Sequence, residues 1–202
     1  MVKICFKKYY LGDSEDFFRN WTAYKVGFGD SNREFWLGNE KIHQLTSSGN
    51  TELRVELEAH DGRTAWAEYN SFRFVCDINI LESSLTSTSR VESEDQGYRL
   101  HIGGYTGTAG DSMASGNHNG SQFSTWDRDN DNSTNTNCAQ LWKSGWWFQS
   151  CFRAQLNGEY YSGPKANKTW EGIIWNDWLG SDYSLKSSTM IIRRKKFSVN
   201  YR

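Results

Sequence analysis

The strongest constraint on how this chain can fold is an acidic stretch followed at once by two cysteines and a double tryptophan. A segment that alternates carboxylates and has almost no apolar residues cannot bury itself, so a cation is expected to offset its charge. A bridge between the cysteines would hold the segment beside an aromatic surface. This pattern indicates a calcium-braced ligand pocket. Its landmarks are Asp127, Asp129, Asp131, Cys138, Trp146, Trp147 and Cys151.

The acidic stretch does not match an EF-hand, which needs a glycine at position six and a glutamate at position twelve of its loop. Counted from Asp127, these positions hold Asn132 and Cys138. A looser calcium loop, built from two carboxylates with backbone carbonyls and water, still agrees with the residues. An acidic, Asn-rich surface turn without a metal agrees with them equally.

The overall charge excludes several classes of partner. The chain has 202 residues, enough for one domain with a real core, and 23 Lys and Arg stand against 24 Asp and Glu. That balance leaves no field of a single sign to bind nucleic acid or an anionic membrane. No apolar run approaches the roughly 18 residues that a membrane span needs, and no signal peptide is recognised. We expect neither nucleic-acid binding nor membrane insertion.

The four cysteines offer one short bridge. Cys138 and Cys151 would close a small loop, and a disulfide there would stabilise the fold by about 3 kcal/mol through loop entropy. Cys5 and Cys76 lie in the two least regular parts of the chain, and their pairing is left open. No C-x-x-C pair and no His/Cys cluster offers a zinc site.

The sequence gives little support for an enzyme. The four histidines, at positions 43, 60, 101 and 118, are widely separated. No H-E-x-x-H, G-x-S-x-G or Walker motif occurs, and no two carboxylates stand out as an acid and a base. We predict a protein without catalytic activity.

Hydrophobic periodicity predicts a mixed fold. A helix is expected over 13–29 and a second from Asn39 to before Gly49. Alternation before and after the Asp61-Gly62 turn predicts a β-hairpin. Further strands are expected around 98–102 and 190–192. The alternating residues of the hairpin are Leu53, Val55 and Leu57, followed by the return run 65–69.

Large aromatic residues crowd the second half of the chain, where regular patterning almost vanishes. Irregular lobes use such side chains for core packing, and flat rings also line pockets for neutral ligands. Core packing is expected for most of them and a pocket for a few. They are Trp142, Trp146, Trp147, Tyr160, Tyr161, Trp170, Trp175, Trp178 and Tyr183.

Taken in order, many short runs resemble the fibrinogen C-terminal domain family, including ficolins and tachylectins. The resemblance covers roughly residues 12–193. It is carried by Phe18-Arg-Asn-Trp21, Gly27-Phe-Gly29, Glu34-Phe-Trp-Leu-Gly-Asn39, Ala65-Trp-Ala-Glu-Tyr69, Gly107-Thr-Ala-Gly-Asp-Ser112, His118-Asn-Gly120, Phe123-Ser-Thr-Trp-Asp127, Asn137-Cys-Ala139, Gly145-Trp-Trp147, Leu156-Asn-Gly158, Gly172-Ile-Ile-Trp175 and Tyr183-Ser184.

The resemblance implies an α+β fold: a twisted antiparallel sheet with short helices and an irregular, calcium-binding C-terminal lobe. In this family two alternate aspartates and two nearby carbonyls bind Ca2+. Carried over, the ligands are the side chains of Asp129 and Asp131 and the carbonyls of Ser133 and Asn135, with Thr136 as the alternative to Asn135. The remaining aspartate of the stretch then becomes a neighbour of the site.

The lectin members of the family bind acetyl groups beside the second cysteine of the bridge. Here that implies a cis Ser150–Cys151 peptide and ligand-binding N–H groups on Cys151 and Phe152. Phe152 replaces a histidine common in lectin members, and Thr169, also assigned to the pocket, replaces an aromatic residue. The residues implied to wall the methyl group are Trp142, Trp170 and Tyr183.

Fibrinogen chains use the same pocket differently, gripping a basic peptide N-terminus through acidic residues. The matching positions here hold Leu141, Trp142 and Trp170. Without carboxylates a cationic peptide lacks partners, so a neutral ligand is favoured.

The resemblance also divides the chain. Residues 12–197 form the family domain, residues 1–11 replace its usual opening, and 198–202 are a tail. Residues 74–90, a long Ser/Thr-rich stretch between two strands, interrupt the domain as an insert and are expected to be disordered.

These implications together predict a secreted, calcium-dependent lectin of innate immunity that recognises acetylated sugars or other acetyl groups. The alternative is an extracellular protein–protein interaction module that uses the same aromatic pocket. A homo-oligomer is left open. Four sequons, which indicate a glycoprotein, begin at Asn20, Asn119, Asn132 and Asn167.

Overall fold

The computed structural model describes residues 15–47, 51–72, 91 and 93–194. The segments 1–11, 74–90 and 198–202 lie outside the described residues. None of the helices among the described residues is long and apolar enough to cross a membrane. The elements, in chain order, are α1 (Trp21–Val26), β1 (Phe28–Gly29), β2 (Phe35–Trp36), α2 (Asn39–Ser47), β3 (Thr51–Glu58), β4 (Thr64–Phe72), a 3-10 turn (Glu94–Gln96), β5 (Ile102–Gly107), α3 (Ser112–Ser115), α4 (Cys138–Leu141), β6 (Ala154–Gln155), β7 (Ile174–Trp175), α5 (Asn176–Leu179) and β8 (Ser187–Arg194).

A four-stranded antiparallel sheet, in the order β5-β4-β3-β8, organises the described fold. Leu53 and Val55 of β3 are buried opposite Tyr69 and Ala67 of β4. Arg54, between the two β3 residues, lies on the other face, because successive side chains of a strand alternate. The predicted hairpin is therefore confirmed.

The sheet is completed by a strand from far along the chain. The predicted strand around Met190 and Ile192 extends over the eight residues of β8, antiparallel to β3. Near its end, Arg193 pairs with Glu52 at 3.3 Å and with Glu68 at 2.8 Å. The polar face of the sheet is thus crossed by ion pairs between three strands.

The first helix is shorter than the sequence predicts. It begins at Trp21 because Asn20 caps it, with Asn20 Oδ1 accepting a hydrogen bond from the Ala23 N–H at 2.9 Å. Phe17 is buried but lies in the non-helical segment before the cap. Its helical spacing to the apolar residues of α1 therefore does not reflect a helix. The helix predicted from Asn39 is confirmed as α2.

Aromatic rings dominate the core between the sheet and the irregular C-terminal half. The ring of Phe123 lies 5.0 Å from Tyr24, 5.1 Å from Trp147 and 5.6 Å from Trp36, centroid to centroid. These tilted and edge-to-face contacts are the favoured arrangements of aromatic pairs. The fully buried tryptophans of the aromatic-rich half are Trp146, Trp147 and Trp175.

Candidate binding cleft and calcium loop

Hydrogen bonds hold the acidic loop in place. The half-buried carboxylate of Asp131 accepts hydrogen bonds from the N–H of Ser133 at 2.7 Å and of Cys138 at 2.8 Å. Asn130 Nδ2 donates to the carbonyl of Phe123 at 2.7 Å. The bond from Cys138 to Asp131 ties the loop to α4, and the bond from Asn130 to Phe123 ties it to the aromatic core.

Asp129 and Asp131 form a pair of neighbouring carboxylates within this loop. Asp129 Oδ1 accepts a hydrogen bond from the Asp131 N–H at 3.2 Å. Burial raises the pKa of Asp131 above its ordinary value, and the charge of Asp129 adds to the rise, against the lowering effect of the two N–H donors. The pair thus consists of one half-buried carboxylate, Asp131, and one exposed carboxylate, Asp129.

Neutral oxygens next to the pair are free to act as metal ligands. Within the described part of the chain, no hydrogen bond is donated to the backbone carbonyls of Ser133 or Asn135. No group of three or more His, Cys, Asp or Glu side chains is assembled among these residues either. Two carboxylates with neutral oxygens are a donor set for Ca2+ rather than for Zn2+. The residues present fit a calcium ion.

A disulfide joins the end of the loop to the next turn of chain. Cys138 and Cys151 are bonded, as predicted, with their Cα atoms 5.5 Å apart. The Ser150–Cys151 peptide is cis, as the family resemblance implies. No hydrogen bond from the N–H of Cys151 or of Phe152 reaches another described residue. Two consecutive backbone donors therefore remain for a ligand.

These donors lie at a cleft of about 320 Å³ with aromatic walls. The Phe152 ring packs edge-on between Trp142 and Trp170, with centroids 5.5 and 5.7 Å away. No charged side chain lines the cleft, and the buried Nε1 of Trp142 has no hydrogen-bond partner in the described structure. We call this site the aromatic cleft. Its lining residues are Ser133, Thr136, Leu141, Trp142, Ser150, Cys151, Phe152 and Trp170.

Two residues that the family resemblance assigned to the pocket lie outside its lining. Thr169 is exposed, next to Trp170. The hydroxyl of Tyr183 accepts a hydrogen bond from the His60 N–H at 3.0 Å, which holds the ring against the β3–β4 turn. Conversely, Thr136 and Ser150 line the cleft although neither was assigned to its wall.

A buried histidine supports the chain on both sides of the cleft. His118 is fully buried; its Nδ1 donates to the carbonyl of Trp147 at 2.8 Å. Its Nε2 accepts from the N–H of Arg153 at 3.2 Å and of Ala154 at 3.1 Å. Burial lowers the pKa of His118 to about 4, so the ring is neutral at neutral pH. The segment that carries Cys151 and Phe152 is thereby held at both ends.

Comparison with known proteins identifies the fold. The model of the C-terminal globular domain of fibrinogen beta and gamma chains matches residues 4–195. The chain belongs to the fibrinogen C-terminal domain family. The family assignment made from sequence is confirmed, and the narrower likeness to ficolins and tachylectins stays a prediction.

Relatives in this family are longer than the chain. Fibrinogen-like protein 1 of Bos taurus is 41% identical over 199 residues, which cover 93% of this chain and 58% of that protein. Fibrinogen C domain-containing protein 1 of Mus musculus is 42% identical over 180 residues, covering 89% of the chain and 36% of that protein. The chain thus spans about half or less of these relatives.

Solved structures show the same globe fold. The fibrinogen-like globe domain of human ANGPTL2 superposes with a TM-score of 0.80 at 39% identity, covering 96% of this chain and 80% of that one. The lamprey fibrin D-dimer, complexed with the peptide Gly-His-Arg-Pro-amide, gives 0.79 at 30% identity, covering 100% and 64%. The fibrinogen-like fold expected from the sequence is confirmed.

Proposed function

We propose that this chain is an extracellular, non-catalytic recognition domain that binds a partner protein in the aromatic cleft. The observation that carries the proposal is the combination of uncharged aromatic walls with the two unpaired N–H groups of Cys151 and Phe152. Such a site binds an apolar group that carries a carbonyl oxygen. The rings bury the apolar group, and the N–H groups donate hydrogen bonds to the oxygen.

The partner's group in the cleft is neutral. The peptide bound to lamprey fibrin carries an arginine. A cation of that kind needs carboxylates, and none lines the aromatic cleft of this chain. The cleft therefore selects against a free, charged peptide terminus and in favour of a neutral one.

Acetylated carbohydrate is a second candidate ligand for the same cleft. The carbonyl of an acetyl group could accept from the N–H of Cys151 or Phe152 while its methyl group contacts the aromatic rings that line the cleft. Exposed Leu141, at 55%, extends the apolar surface beyond what one acetyl group covers. That extension favours a protein partner over a small sugar.

Calcium bound to the acidic loop would stabilise the part of the cleft wall that the loop forms. Asp129 and Asp131 would supply the charged ligands, and the carbonyls of Ser133 and Asn135 the neutral ones. The bound ion supplies positive charge that offsets the carboxylate pair. Ser133 also lines the cleft, so a fixed loop gives the ligand a fixed wall.

The disulfide supports a location outside the cytosol. Bridges such as Cys138–Cys151 form and persist in oxidising compartments, whereas cytosolic thiols are kept reduced.

The proposal is tested on an array of purified extracellular receptor domains probed with the intact chain. Trp170→Ala removes one wall of the cleft, and Trp66→Ala, on the polar face of the sheet, is the matched control. A partner whose binding is lost in the first variant and kept in the second supports the proposal. N-acetylglucosamine that competes at millimolar concentration would assign the cleft to acetyl recognition. If every partner found binds the Trp170 variant as well as the unmodified chain, the proposal is wrong.

A further inference from the structure

The aromatic cleft continues into two further cavities along the same surface. Leu141 and Trp142 line both the cleft and a small neighbouring cavity. Lys143 and Glu159 line that small cavity and also a third one, of about 350 Å³. The three cavities are therefore neighbours in a row, and we call this row the groove.

The third cavity, which we call the acidic cavity, has an excess of negative charge. Glu15, Asp16 and Glu159 line it, against the single ammonium of Lys143. Lys143 and Glu159 are 3.8 Å apart with both side chains more than half exposed, so this pair is weak. Glu15 is paired with Arg19 at 2.8 Å, outside the lining. Asp16 and Glu159 therefore remain the main charges that a ligand would meet.

A buried amide in the same cavity also lacks a donor. Asn157 is fully buried and lines the cavity. Its Nδ2 donates to the carbonyl of Gly145 at 2.9 Å, whereas its Oδ1 has no hydrogen-bond partner in the described part of the chain. A buried acceptor left unpaired is unfavourable, so the wall of this cavity contains a polar group that the described chain itself does not satisfy.

Aromatic rings complete the chemistry of this cavity. Phe18 is 38% exposed and Tyr160 is half-buried, and both line it. Aromatic rings attract a cation placed over their faces. The carboxylates of Asp16 and Glu159 attract a cation as well. Acceptors, negative charge and aromatic faces all select the same ligand group, a guanidinium or an ammonium.

We propose that the acidic cavity binds an arginine or lysine side chain of the partner segment whose neutral group occupies the aromatic cleft. The inference rests on the proposed function of the cleft. The partner would then present an extended stretch along the groove, neutral at one end and basic beyond Leu141 and Trp142. The acidic cavity would recognise the charge of the basic side chain, and the aromatic cleft would recognise the shape of the neutral group.

The cavity is tested with L-argininamide and L-citrullinamide, which share a shape and an α-amine and differ in the charge of the side-chain end. Each is titrated into the 15N-labelled intact chain and followed by NMR. Argininamide should shift the side-chain amide of Asn157 and the backbone signals of Phe18 and Glu159. Citrullinamide should bind at least about tenfold more weakly, the effect expected from losing a charge-assisted contact.

Substitutions separate specific binding from general attraction. Asp16→Asn and Glu159→Gln should each weaken argininamide binding several-fold, and Lys143→Gln should strengthen it. Glu56→Gln, on the polar face of the sheet, is the matched control and should have no effect. Added salt should weaken binding by the unmodified chain.

The two proposals fail in different ways. Equal binding of argininamide and citrullinamide, or no shift at Asn157, Phe18 and Glu159, overturns the acidic cavity and leaves the Trp170 test of the cleft untouched. If every partner binds the Trp170→Ala variant as well as the unmodified chain while argininamide still binds, the proposed function is overturned and the cavity remains a cation site.

Discussion

The carboxylate of Asp127 accepts a hydrogen bond at 2.9 Å from the backbone N–H of Trp21, the first residue of α1. The same oxygen accepts from Thr125 Oγ1 at 2.7 Å. The next residue, Arg128, places its guanidinium 4.0 Å from the centroid of the Trp21 ring. The acidic loop and α1 are therefore one structural unit. Asp127, a mere neighbour of the calcium ligands in the sequence, holds that unit together.

Replacing Asp127 by Ala should lower the free energy of unfolding by about 1–2 kcal/mol, because a helix N-terminal N–H and a threonine hydroxyl lose their acceptor. Asp127→Asn keeps a carbonyl oxygen and should lose less. Urea unfolding at pH 7 measures both. Asp61→Asn, in the exposed β3–β4 turn, is the control. Equal stability of the Ala variant and the unmodified chain would contradict the assigned role.

His118 predicts a loss of stability in mild acid. Its pKa falls from about 6.5 in the unfolded chain to about 4 in the folded one, so the unfolded chain binds more protons between these values. The stabilisation is complete above pH 6.5 and declines as the pH falls towards 4. Between pH 7 and pH 5 the free energy of unfolding should drop by about 2 kcal/mol from this group.

Urea unfolding at pH 7, 6 and 5 follows this decline, and His118→Gln supplies the comparison. Glutamine can still donate and accept but does not titrate. The variant should be less stable at pH 7 and should have a shallower pH dependence. An identical slope in both chains would show that His118 does not govern it.

The sequence predicted those parts of the fold in which a short-range pattern decides the structure. Alternation in β3 required one buried face, and Leu53 on that face pairs with the buried Tyr69 of β4. The same reasoning predicted too long a first helix. Phe17 has helical spacing to Trp21 and is buried, but it lies in a non-helical segment. Side-chain spacing alone cannot distinguish a buried residue inside a helix from one just before it; the cap at Asn20 decides where α1 begins.

The residues alone indicated a pocket beside the acidic loop, but its individual lining residues could be assigned only through the family resemblance, because they come from distant, unpatterned positions. The resemblance located Trp142, Phe152 and Trp170, and in the structure the centroid of the Phe152 ring lies within about 6 Å of the centroids of the other two. It also implied Tyr183, which the structure engages with His60. The acidic cavity had no sequence signal at all, since it depends on a contact between the region before α1 and the segment after β6.

Two glycines offer a test of packing near the groove. A Cβ on Gly158 would lie 1.9 Å from the carbonyl oxygen of Gly172, a backbone atom that cannot move aside. Gly158→Ala should therefore cost on the order of 3 kcal/mol of unfolding free energy, or prevent folding. Gly163→Ala meets nothing within 4 Å and should stay within about 0.5 kcal/mol of the unmodified chain. Thermal unfolding ranks the pair; similar losses at both positions would argue against the close approach.

Calcium binding should raise the stability of the chain through the loop that walls the cleft. At saturating Ca2+ the midpoint of thermal unfolding should rise, because an ion that binds only the folded state stabilises it by mass action. EDTA should reverse the rise. Tryptophan fluorescence should respond in the same titration, since the loop adjoins Trp142 through Ser133 and Thr136 in the cleft wall.

Asp129→Asn and Asp127→Asn separate the ion from the scaffold. Asp129 accepts a hydrogen bond from the Asp131 N–H, a contact that asparagine can keep, so Asp129→Asn should leave the metal-free stability almost unchanged and abolish the calcium response. Asp127→Asn should do the reverse, lowering stability at every calcium concentration while keeping the rise. A full calcium response in the Asp129 variant would rule out the carboxylate pair as the metal site. A response lost in both variants would show that the anchor to α1 and the metal site cannot be separated.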